Sequence, residues 1–258
     1  MFDLSHFDLY ALLPYIAVGF AAQLVDGALG MAFGVITSTM LVGVLGVPPA
    51  QASARVHVVE TFTTAMSGIN HLLHRNVDAR LFFRLIIPGV AGGVLGAYVL
   101  SSIDGNVVKP FILGYLICIG LYLLARGFFW PPKISDAKII APLGLVGGFL
   151  DAVGGGGWGP VVTSNLLIQG AEPRKVVGTV NTVEFFLTIT ISATFIWHLG
   201  FADIAGATLG MLIGGVAAAP LGAIAAKRFS PKSMLIMVGI VLTATSLYSL
   251  LRALKVLP

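Results

Sequence analysis

The sequence predicts an all-α polytopic membrane protein built as two inverted-topology repeats of five segments, each with a broken or re-entrant helical hairpin. Three observations predict it: a scarcity of charge, an internal repeat, and loop charges that change sides between the copies. Of 258 residues, 57% are hydrophobic and 10% charged, against about 25% charged in a soluble domain. So little polar side chain leaves lipid as the solvent for most of the surface. The 32 glycines fit membrane helices better than soluble ones.

The repeat is read directly from the residues. Asp26, Gly30 and Gly34 recur 125 positions later as Asp151, Gly155 and Gly159. Pro49, Val59, Glu60 and Thr64 recur 124 positions later as Pro173, Val183, Glu184 and Thr188. One deletion between Gly34 and Pro49 accounts for the change, and the two units are assigned to residues 1–130 and 131–258. Duplication of a unit that embeds acids and glycines in apolar sequence is the layout of membrane transporters.

The apolar segments of the first unit run over Tyr10–Leu29, Val35–Leu45, Val56–Leu73, Leu81–Leu100 and Val107–Ala125. Those of the second run over Ile139–Val153, Val161–Gln169, Val176–Trp197, Ile204–Ala226 and Ser233–Leu251. A spanning helix needs about 20 apolar residues, which the third, fourth and fifth segments of each unit meet. The second segment falls short: Val161–Gln169 would be only about 14 Å long as a helix. A hairpin of two partial helices, turning at the glycines, resolves this. Such broken backbone survives at membrane depth only where protein or a watery cavity surrounds it.

Loop charges set the orientation. The loop after the third segment holds Arg75, Arg80 and Arg84 in the first unit and Asp203 in the second. After the fourth segment the bias reverses, with Asp104 and Lys109 against Lys227, Arg228 and Lys232. The positive-inside rule then inserts the units upside down relative to each other. Arg126, Lys133 and Lys138 make the linker cytoplasmic and put both termini outside, against which Arg252 and Lys255 speak mildly. Asp3 and Asp8, with no basic run, predict that the first apolar stretch is retained rather than cleaved.

The strongest local signal is Gly154-Gly155-Gly156-Gly157-Trp158-Gly159-Pro160. The glycines allow a sharp turn and close approach to a ligand, and Pro160 suits the first turn of a helix. Free N–H groups at that helix start favour an anion; close helix packing is the rival reading. Gly27, Gly30, Ala32 and Gly34 form the matching turn. Of eleven acids, only Asp26, Glu60, Asp151 and Glu184 fall within apolar segments. Embedded carboxylates mark transport paths or proton relays, or else they cap broken backbone. The two readings stand level for Asp26 and Asp151, and a structural hydrogen-bonding role is favoured for Glu60 and Glu184.

Arg55 and His57, matched by Thr179 and Asn181 in the second unit, offer donors to a small oxyanion, with snorkelling the rival role for Arg55. His71, His74 and His198 read as interfacial helix-end residues, and Cys118 as a packed helix residue. No metal site, cofactor site, phosphate-cradling motif or nucleic-acid patch is legible. Ser67-Gly68 near His71 is a short and incomplete hint of an intramembrane hydrolase.

At these residues the chain resembles the sulfite exporter TauE/SafE family. The resemblance rests on the duplicated unit, the Gly154–Pro160 turn, the Gly170–Pro173 loop, and Val177-Gly178-Thr179 leading into a helix with Asn181. The first copy departs from it, with Ala28-Leu29-Gly30-Met31 for the glycine run and Phe33-Gly34-Val35 for Trp158-Gly159-Pro160. The resemblance implies export of sulfite or organosulfonates across the bacterial inner membrane, by a multi-pass protein and not an enzyme. The expected substrate site comprises Arg55, His57, Gly30, Gly155, Gly156, Gly157, Trp158, Thr179 and Asn181. Asp26, Asp151, Glu60 and Glu184 are proton-coupling or structural. The partners are a small anion and the lipid bilayer, with room for a homo-oligomer and none for nucleic acid. An anion channel with the same site is the alternative.

Overall fold

The computed structural model describes residues 9–29, 32–128, 138–169, 171–228 and 231–257; Gly30 lies outside them. Among the described residues every regular element is helical. The first half folds as α1 (Leu9–Leu29), α2 (Phe33–Ser38), α3 (Pro49–Leu73), α4 (Ala79–Ser102) and α5 (Gly105–Phe128). The second folds as α6 (Ala141–Gly154), α7 (Ser164–Ile168), α8 (Pro173–Leu199), α9 (Ala202–Arg228) and α10 (Pro231–Ala253). A widened π-helical stretch, Thr39–Val44, continues α2, and another, Trp158–Thr163, leads into α7. Each half therefore holds a short broken hairpin arm followed by three long helices.

Local chemistry sets the boundaries. Asp78 caps α4, its Oδ1 accepting from the Leu81 N–H at 3.0 Å. Pro173 opens α8, where a missing N–H costs nothing. Gly155, at φ 64°, closes α6 with its N–H on the Asp151 carbonyl, a left-handed conformation that glycine adopts at no steric cost.

Among the described residues, four helices are long and apolar enough to cross a membrane: Ala79–Ser102, Gly105–Phe128, Lys175–Leu199 and Ile236–Ala253. At 25 residues α3 is also long enough, but its two faces differ. Phe62, Met66, Ile69 and Leu73 are exposed and apolar, spaced as one helical stripe. Ser53, His57, Glu60 and Thr64, on the same spacing, are buried. The polar stripe lowers the mean hydropathy of α3 because it lines the protein's interior. Cys118 is exposed on the outward side of α5, which corrects its reading as a packed residue.

The two halves interlock. The most extensive packing pairs α1 with α9, α6 with α4, α5 with α10, and α3 with α8. Glycines let the backbones meet: added Cβ atoms at Gly92 and Gly148 would strike the α6 and α4 main chains, and one at Gly214 would strike α1. Along α3 and α8, His57 lies near Phe195, Thr64 near Thr188 and Gly68 near Thr182. Numbers rise on one helix as they fall on the other, so α3 and α8 run antiparallel. The same holds for α5 and α10, where Gly120 meets Thr243 and Gly127 meets Ile236. In contrast α1 and α9 run parallel, Leu12 facing Gly210 and Ile16 facing Gly214.

Candidate functional site

The hairpin tips meet at the centre of the bundle. A Cβ on Gly34 would lie 2.6 Å from the Gly156 Cα, so the tips touch backbone to backbone. Gly156 sits at φ 134°, closed to side chains on conformational grounds as well. A cavity of about 320 Å³ adjoins this contact. At its deep end lie Asp26, Gly34, Glu60, Asp151, Gly156 and Gly157; toward its other end lie Ser67, His71, Val177 and Asn181. Since α3 and α8 are antiparallel, His71 and Val177 stand at the same end of the bundle. Asn76 packs on Gly178 there. The cavity thus runs from the tips toward the loop that bears Arg75.

Each hairpin is closed by its own aspartate. The Asp26 Oδ1 accepts the Ala32 N–H at 2.7 Å and the Phe33 N–H at 3.1 Å. The Asp151 Oδ1 accepts the Trp158 N–H at 2.9 Å. The acid-to-amide offset of seven residues is the same in both. The Glu60 carboxylate lies beside the Gly34 backbone, its Oε1 2.9 Å from where a Cβ on Gly34 would sit. The N–H groups expected to face an anion are therefore held by the protein's own acids, which satisfies buried donors that would be costly to leave open.

The expected site residues separate by helical phase. His57 is buried behind the cavity, its Nε2 3.2 Å from Asp151 Oδ2 and its Nδ1 2.7 Å from the Ser53 carbonyl. Arg55 points elsewhere: its guanidinium donates to Gln51 Oε1 at 3.3 Å and lies 5.7 Å from the Tyr15 ring centroid. It is not among the lining residues. Residues two apart on a helix face nearly opposite ways, so Arg55 and His57 do not converge. In the second half Asn181 lines the cavity, whereas the Thr179 Oγ1 accepts the Asp78 N–H at 2.8 Å. Trp158 is wholly buried as an anchor, its Nε1 donating to the Val180 carbonyl at 3.2 Å. Gly156 and Gly157 line the cavity, and Gly155 lies behind them, its carbonyl accepting the Ser38 hydroxyl.

Gln23, Thr63, Thr64, Ser67 and His71 also line the cavity, none of them expected to. Their signal is the α3 stripe: Glu60, Thr64, Ser67 and His71 follow helical spacing on one face. The lining thus holds four carboxylates and one histidine, with no Lys or Arg among the described residues. Nor do the described residues group three metal-ligating side chains as a metal site would need.

An all-helical, lipid-facing bundle with an interior polar cavity is a multi-pass membrane protein. Residues 15–249 match the profile of the sulfite exporter TauE/SafE family, and the chain belongs to that family. The probable membrane transporter protein YtnM of Bacillus subtilis (strain 168) is 44% identical over 237 residues, covering 88% of this chain and 79% of that protein. A probable membrane transporter protein of Haemophilus influenzae is 27% identical over 223 residues, covering 80% and 84%. No solved structure gives a significant match. Family and architecture agree on a membrane transporter.

Proposed function

We propose that the protein is a secondary transporter that exports a small sulfur-containing anion, sulfite or an organosulfonate, across the bacterial inner membrane. The two halves act as inverted repeats and rock about a central site. The observation that carries this reading is the one-sided cavity at the hairpin contact. It runs to one end of the bundle, while toward the other end Ser53, His57 and Asp151 fill the space. A site reached from one side at a time is what alternating access requires. An open anion channel with the same site would need both ends clear.

Antiparallel α3 against α8, and α5 against α10, support the inverted relation, since these helices are equivalent in the repeat. By helix direction, Arg75, Arg80, Lys138, Lys175 and Lys232 lie at the cavity's open end, and Asp104 and Asp203, with Lys109, Arg252 and Lys255, at the other. The positive-inside rule makes the open end cytoplasmic. The anion would be held by the Asn181 amide, the Thr63 and Ser67 hydroxyls and the Gly34 and Gly157 backbone, with Gly155, Trp158, His57 and Thr179 as the frame behind them. The Arg55 guanidinium stays outside this set.

The test is flux in proteoliposomes with sulfite, sulfate, thiosulfate and methanesulfonate, with and without a pH gradient. Saturable flux of a sulfur oxyanion that responds to the gradient supports the reading. Flux that follows voltage alone supports a channel, and no flux with any of the four refutes anion transport.

A further inference from the structure

The four acids of the cavity are not equivalent. Asp26 and Asp151 hold the hairpins shut through the Ala32, Phe33 and Trp158 amides, and the second oxygen of Asp151 meets His57. A proton on either would weaken the turn it closes. Glu60 differs. It is 6% exposed, lines the cavity, and leaves its Oε2 buried without a hydrogen-bond partner. Its Oε1 lies against the Gly34 backbone at the contact between the hairpins. A buried acceptor with no donor is destabilising, so the fold keeps this oxygen open for something that comes and goes.

The surroundings say what that is. Asp26 from α1, Asp151 from α6 and Glu184 from α8 line the same cavity as Glu60. From α2 comes the Gly34 amide, and His71 lies along α3 itself. The remaining long helices contribute no residue to the described lining. Among the described lining residues an anion entering here meets carboxylates and no Lys or Arg, so it needs a proton as companion.

We propose, resting on the transport reading above, that Glu60 is the proton-carrying group of the cycle. A proton from the cavity water binds Oε2 and turns a strong anionic acceptor into a weak neutral one. Its repulsion of the substrate oxyanion is thereby relieved, and proton and anion cross together. On the far side the anion leaves and the proton returns to water. Binding of each partner strengthens the other, as linkage demands.

The experiment measures sulfite binding to the purified full-length protein between pH 6 and 8.5, and internal pH during sulfite flux in proteoliposomes. It compares wild type, Glu60→Gln and Glu184→Gln. Sulfite's own titration contributes equally to all three, so differences between them belong to the protein. The wild type should gain up to about tenfold in affinity per pH unit of acidification beyond that contribution. Glu60→Gln, a fixed mimic of the protonated form, should bind sulfite with that extra slope lost and move one proton fewer per anion. An unchanged slope in Glu60→Gln overturns the proposal, as does a Glu60→Gln protein that binds sulfite at no pH. Loss of the slope in Glu184→Gln alone assigns the proton to the other acid and also overturns it. Absence of sulfite binding and flux in the wild type refutes sulfite as the substrate, a failure distinct from the Glu60 outcomes.

Discussion

The two hairpins share one device and differ in everything around it. In both, an aspartate accepts an amide seven residues on. Among the described residues, the second turn is clamped to distant elements by a larger set of side chains than the first. Trp158 reaches the Val180 carbonyl at 3.2 Å, Tyr115 donates to the Gly156 carbonyl at 3.2 Å, and Ser53 donates to the Ala152 carbonyl at 2.5 Å. The repeat counterparts cannot do the same. Phe33 replaces Trp158 and lacks an N–H, Val177 replaces Ser53 and lacks a hydroxyl, and Asn181 replaces His57 and faces the cavity. On the transport reading proposed above, Ser53 and His57 fill the space on one side of the hairpin contact, while their counterparts Val177 and Asn181 leave a cavity on the other.

The largest effect should come from the contact between the tips. Gly156→Val should abolish sulfite flux, because the side chain overlaps the Gly34 backbone and sits at φ 134°. Gly34→Ala, in a helical conformation, escapes the second penalty. It should be less destabilising than Gly156→Ala by about 1–3 kcal/mol, read as the difference in thermal unfolding in detergent. Equal losses would remove backbone conformation from the explanation.

Next come the two caps. Asp151→Ala strands the Trp158 amide and the His57 ring, and should cost about 2–4 kcal/mol. Asp26→Ala loses only its turn amides and should cost about 1–2 kcal/mol. The opposite order would mean that His57 contributes little to the closed side. Trp158→Phe makes the second hairpin resemble the first and should cost about 1–2 kcal/mol, the Val180 bond being lost from a buried site. The smallest expected change is in the conformational balance. Ser53→Val with His57→Asn copies the open side onto the closed one, and should raise the outward-facing population up to about tenfold, for about 1.4 kcal/mol of lost closure.

Most of the fold is legible in the sequence because its signals are long. The ten apolar segments correspond to helical regions among the described residues, and the hairpins follow from segments too short to cross a bilayer. The repeat spacing also pairs Asp26 with Asp151 and Glu60 with Glu184. The site is less legible because it depends on phase and on who bonds to whom. Arg55 and His57 look like partners in sequence, yet a two-residue step turns them to different sides of α3. The helix-start amides look available to an anion, yet Asp26 and Asp151 already hold those of Ala32, Phe33 and Trp158. The stripe of Thr64, Ser67 and His71 was readable in principle, by continuing the Glu60 face along the helix. Its members look like ordinary helix-end residues one at a time.

One cysteine tests the central claim most directly. Ser67 lines the cavity beyond the hairpin contact, and Ser67→Cys in a Cys118→Ser background places a nearly isosteric thiol there. In oriented vesicles at rest, a membrane-impermeant thiol reagent should label it from the cytoplasmic face alone, and sulfite should protect it. Labelling from the outer face should appear only when Ser53→Val and His57→Asn are added or when transport is under way. Equal labelling from both faces of the resting protein would contradict a one-sided cavity and, with it, alternating access.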